Sequence, residues 1–133
     1  MATKQTWKTF YQRLAYLYYA IAKADEKIVP EEIARVREIV RKEWVSLETT
    51  EDEFGSDAAF QIEIAFDWLV EQKPSAEKAL EKFEHFVEEH PDFLTRKLKQ
   101  RILDTSTSIA DSFHGTNKLE ERLLERLGTA LGK

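Results

Sequence analysis

Apolar residues recur along this chain at intervals of three and four, and that period commits it to helices rather than strands. In the first segment, Thr6 to about Lys23, they fall at Trp7, Phe10, Tyr11, Leu14, Leu17, Tyr18, Ile21 and Ala22. This spacing draws one broad stripe down a helix. Asp25 and Glu26 interrupt it. Pro30 then takes the first position of a second helix, where its missing N–H does no harm, and Ile33, Val36, Ile39, Val40 and Trp44 line its inner face. Glu31 to Arg35 and Glu38 to Lys42 stand four apart with the acid first, the better order for helix ion pairs. Ser46 to Gly55 reads as a loop.

Ser56 can cap a third helix that runs to about Gln72 and stops before Pro74. Its apolar residues (Phe60, Ile62, Ile64, Phe66, Trp68, Leu69, Val70) occupy more than one side, which predicts the most buried helix of the set. Ser75 caps a fourth helix with Leu80, Phe83, Phe86 and Val87 inward, closed by Pro91. The longest helix is expected from about Asp92 to Phe113, on Leu94, Leu98, Ile102 and Ile109, with Gly115 ending it. Proline at Leu98 should then be among the most damaging changes. Asn117 with Glu120 forms a capping box for a last helix packed through Leu123, Leu124, Leu127 and Leu131.

The expected fold is all-α: one domain over residues 1–133, a compact bundle of about six helices. Only 4 glycines and 3 prolines in 133 residues leave few turns, in keeping with this. A degenerate duplication is also readable. Shifting the first two helices onto the last two pairs Ile21-Ala22 with Ile109-Ala110, Glu32 with Glu120, Val36 with Leu124 and Ile39 with Leu127.

Composition excludes several classes of function. The chain has no cysteine, so thiolate zinc sites, iron–sulfur clusters, disulfide scaffolds and cysteine nucleophiles are out. A formal net charge of −5 repels nucleic acid, which is not an expected partner. The N-terminal run Met-Ala-Thr-Lys-Gln-Thr-Trp has no apolar signal core, and no apolar span reaches membrane-crossing length. A cytoplasmic protein without a transmembrane segment is expected. No glycine-rich phosphate loop or nucleophile elbow occurs.

The stretch Ala22-Lys23-Ala24-Asp25-Glu26-Lys27-Ile28-Val29-Pro30-Glu31-Glu32 resembles the signature of the TerB-like family, of the tellurite-resistance type. The family pattern is an apolar helix ending in Ala-Asp-Gly, then an aliphatic residue, then a glutamate opening the next helix. Asp25, Ile28 and Glu32 fit it, while Glu26 stands where the family usually has glycine. Ile109 to Glu120 resembles a degraded second copy. The resemblance implies an all-helical, internally duplicated fold and a bacterial, stress-associated binding or scaffold role without defined enzymatic activity.

The residues themselves offer a few candidate sites. Asp25, Glu26, Glu31 and Glu32 crowd carboxylates at a helix-to-helix turn, and Asp25 with Glu32 could hold a divalent cation. The competing and preferred reading is structural: Asp25 forms the turn, and Glu31 and Glu32 complement the dipole of the following helix. Glu26 and Glu31, with Tyr16 and Tyr19 off the main stripe of the first helix, are the candidate interaction surface. Glu77, Glu81, Glu84 and Glu88 draw a carboxylate stripe near His85 that reads as a solvated face. Arg96, Lys97, Lys99 and Arg101 spread around their helix as counter-charge to the acidic ones. Asp111, Ser112 and His114 sit too close in sequence to face one another as a triad. The expected function is a non-enzymatic module without a cofactor, whose partners are other proteins. A divalent-metal protein using the Asp25–Glu32 turn is the alternative, and a peripheral membrane contact the third reading.

Overall fold

Thr3 starts the first helix, its hydroxyl accepting a hydrogen bond from the Thr6 backbone N–H at 3.1 Å. This cap lies three residues before the expected start, so α1 spans Lys4–Ala22 and, at 19 residues, is the longest helix described. The computed structural model describes residues 3–23, 30–44, 58–112 and 118–132. Among them stand five further helices: α2 (Pro30–Trp44), α3 (Ala58–Gln72), α4 (Ala76–Glu89), α5 (Arg96–Ser112) and α6 (Lys118–Ala130), with no strand. The all-helical bundle is the observed architecture. The proposed caps at Ser56 and Asn117, the stop at Gly115 and the turn at 24–29 lie outside the described residues.

α1 is the centre of the bundle. It packs against α3, α4, α5 and α2, and its buried set runs from Trp7 through Phe10, Tyr11, Leu14 and Ala15 to the block Leu17–Ala22. From Leu14 to Ala22 there is no charged side chain, which lets this half of the helix be enclosed on nearly every side. The expectation that α3 is the most buried helix is therefore corrected. α3 packs against α1 and α2 through Ala58, Ala59, Ile62, Phe66 and Leu69, and its other apolar face is left open. Lys73 ends it with a positive φ of 55°, its N–H donating to the Leu69 carbonyl at 2.8 Å, and Pro74 follows.

Ser75 caps α4 as expected, accepting from the Lys78 N–H at 3.1 Å. α5 starts later than its apolar pattern suggests. Pro91 to Phe93 form a turn, and the Thr95 hydroxyl accepts from the Leu98 N–H at 3.1 Å. Leu98 thus sits in the first turn and bonds a cap, and the helix interior, where proline does most harm, lies further along, at residues such as Ile102.

Charged groups join the helices at their outer edges. Arg37 Nε donates to Asp67 at 3.0 Å and Arg41 to Glu63 at 2.8 Å, so these ion pairs of α2 run across to α3. Arg126 on α6 grips Glu84 with two hydrogen bonds of 2.8 Å and Glu77 with a third. The hydrogen bond from Arg126 pulls the Glu77 carboxyl below its ordinary value. Two members of the α4 acidic stripe therefore dock α6 rather than face only water. Of the pairs the proposed duplication aligns, Ile21-Ala22 and Ile109-Ala110 are all buried, whereas a buried Val36 meets a half-buried Leu124 and a half-buried Ile39 a buried Leu127.

Candidate apolar groove

Spacing along two helices builds the most distinctive surface. On α1, Lys8, Gln12 and Tyr16 are four apart, with Arg13 three before Tyr16, so they share one edge. On α3, Gln61, Ile64, Ala65 and Trp68 do the same. Where the helices pack, these edges enclose a groove of about 590 Å³ with Leu69 at its base. The Arg13 guanidinium stands 5.3 Å from the centroid of the Tyr16 ring, which orients both at the rim.

The crest beside this groove is apolar. Phe60, Ile64 and Trp68 recur at four-residue steps and are 58%, 52% and 51% exposed, the large hydrophobic side chains that stand out of the described surface. Ile64 borders all the neighbouring hollows. Towards α2 these are lined by Arg37, Asp67 and Glu71, and by Arg41, Phe60 and Glu63. The two sides of the crest differ in charge. The α2 side holds acids ion-paired with Arg37 and Arg41, whereas the lining on the α1 side carries Lys8 and Arg13 and no acid.

The residues proposed from the sequence fall in different places. Tyr16 is half-buried and lines the groove. Tyr19 is 1% exposed, which corrects its assignment to the surface. Its hydroxyl donates to the Pro74 carbonyl at 2.7 Å, tying the end of α1 to the α3–α4 link, and burial pushes its phenol above the ordinary value. Glu31 is exposed and Glu32 half-buried in the first turn of α2, while Asp25 and Glu26 lie outside the described residues. No group of three or more His, Asp or Glu side chains able to hold a metal occurs among the described residues. Phe60, Ile64 and Trp68 were not singled out as a surface. Their signal was the doubly apolar pattern of α3, read instead as burial on both sides.

A second polar arrangement is enclosed in the bundle. Trp44 Nε1 donates to the Tyr18 hydroxyl at 3.0 Å and to Thr105 Oγ1 at 3.1 Å, and Thr105 donates to the Arg101 carbonyl at 2.8 Å. Arg101 lies over the Trp44 ring at 5.7 Å and donates to the Glu43 carbonyl, so a member of the basic cluster is spent on binding α5 to α2. Next in sequence to Thr105, the buried Ser106 hydroxyl has no hydrogen-bond partner among the described residues.

Desolvation of Tyr18 raises its phenol well above the ordinary value, against the hydrogen bonds it shares with Thr105 and Trp44, which lower it. Below pH about 10 the phenol is neutral folded and unfolded alike, and stability is indifferent to it. Above that, the unfolded chain releases a proton that the native state retains, so stability falls as pH rises. Tyr18→Phe is expected to flatten this alkaline decline in melting temperature, and an unchanged slope would remove Tyr18 as its source.

No helix among the described residues is long and apolar enough to cross a membrane. Comparison of the chain with protein-family models, with curated proteins and with solved structures finds no match.

Proposed function

We propose that this chain is a non-enzymatic protein-docking module of the TerB-like kind, which engages its partner through the α3 crest and the groove beside it. One observation carries the reading: three large apolar side chains stand on one helix face, each more than half exposed. A contiguous apolar patch on a heavily charged chain is a surface awaiting cover. Aromatic residues are enriched at the cores of protein interfaces, and tryptophan is a frequent energetic anchor there. The likeness of Ala22–Glu32 to the TerB-like signature, with its scaffold-type role, points the same way.

The test places a photoreactive benzoylphenylalanine at Ile64, and in a second chain at the exposed Lys82 of α4, in cells that naturally make the protein. A discrete protein adduct is expected from position 64 and not from 82, and should disappear when Phe60 and Trp68 are both alanine. Because those side chains are only half buried, the alanine variant should still unfold in one cooperative transition, which circular dichroism checks. Identical adducts from both positions, or none from 64, would remove the proposal.

A further inference from the structure

Resting on the docking reading, we infer that the partner element is an amphipathic helix carrying acidic residues along one edge, laid in the α1–α3 groove with those acids towards Lys8 and Arg13. Shape argues for a helix. Its apolar floor runs beside a crest whose side chains repeat at four-residue steps over Phe60 to Trp68, about 12 Å at the helical rise. A groove of this kind accepts the apolar face of a helix through anchors one turn apart.

Charge fixes which edge meets which rim. On the α2 side of the crest, Asp67 and Glu63 are already ion-paired with Arg37 and Arg41 and Glu71 stands beside them, so an acidic edge gains little there. On the α1 side, Lys8 and Arg13 line the groove with no acid in the lining, on a chain whose net charge is −5. Among the described residues Arg13 is held over Tyr16 rather than by a carboxylate, and its donors face the rim. Lys8 and Arg13 are five residues apart, about 7.5 Å along the α1 axis, so acids one to two turns apart on the partner would reach both.

The same asymmetry counts against one arrangement of a second copy, that with antiparallel α3 helices. If two chains met by an in-plane two-fold with their α3 helices antiparallel, the rim bearing Lys8 and Arg13 would face its own symmetry mate, and like charges would oppose each other.

The experiment uses two labelled synthetic helical peptides with the same leucine and tryptophan face, one with glutamates and the other with lysines along one edge. Fluorescence anisotropy measures their binding to the full chain at low salt. The glutamate peptide should bind about tenfold more tightly, as expected of two exposed charge pairs, and added salt should shrink the gap. The Lys8→Glu, Arg13→Glu double variant should reverse the order, and Trp68→Ala should weaken both peptides about tenfold. Equal affinities, a preference that survives the double variant, or no binding of either peptide would overturn the inference. So would concentration-dependent dimerisation of the chain that excludes the peptides. If the crosslink from position 64 persists while the peptides show no charge preference, the docking reading stands and only the inference about the partner falls. Loss of that crosslink removes both.

Discussion

Replacing Phe10 by alanine is expected to lower the free energy of unfolding by about 3–5 kcal/mol, the usual range for deleting a buried aromatic ring. Phe10 is fully enclosed, and its ring lies 5.1 Å from Phe93, 5.6 Å from Tyr11, 5.7 Å from Phe86, 5.9 Å from Trp7 and 6.0 Å from Trp44, between centroids. These neighbours come from α1, α2, α4 and the turn before α5, so one ring connects elements that share few other aromatic contacts. Denaturant unfolding should show a lower midpoint at unchanged slope. The same change at Phe60, which is 58% exposed, should cost markedly less. A loss below 1 kcal/mol at Phe10 would mean that its ring is not packed as described.

The second large effect is expected from Ile102→Pro. Position 102 is in the interior of α5 and fully buried, so proline removes a helix hydrogen bond, clashes with the preceding turn and deletes a core side chain. The backbone part alone costs about 3 kcal/mol or more. A chain of this size should lose most of its cooperative folding, visible as a collapsed helical circular dichroism signal and no sharp thermal transition. Arg96→Pro is the informative partner. Arg96 is exposed and opens α5, a position that suits proline, so this variant should stay within about 1 kcal/mol of the parent. Had the helix begun at Asp92, as the apolar pattern suggests, proline at 96 would be severe.

That contrast shows which parts of the fold are legible in a single sequence. α2 and α4 are read well because their starts carry unambiguous chemistry, Pro30 at the first helical position and Ser75 as a cap. α5 is misread by four residues because Asp92 after Pro91 looks like a cap, while Thr95, which does the capping, sits unmarked between Leu94 and Arg96. α3 is misjudged for a different reason. Periodicity reports how many faces of a helix are apolar, and only tertiary packing decides how many of them have neighbours.

The groove was out of reach for the same reason. Its two walls are about fifty residues apart in sequence, and no local pattern states that the Lys8–Tyr16 edge lies beside the Gln61–Trp68 edge. Tyr16 was singled out because it falls off the main stripe of α1. Tyr19 failed by the same criterion, because the uncharged second half of α1 is covered on its flanks as well as on its stripe.

The central position of α1 has a consequence during synthesis. Its uncharged half, Leu14 to Ala22, is made before any of the helices that enclose it, and 67 positions separate Ala22 from Glu89, the end of α4. At about 5–20 residues per second, roughly 3–13 s pass before both α3 and α4, which cover most of α1, have been made. For that interval the helix that contributes most to the buried core lacks the full set of surfaces that later cover it.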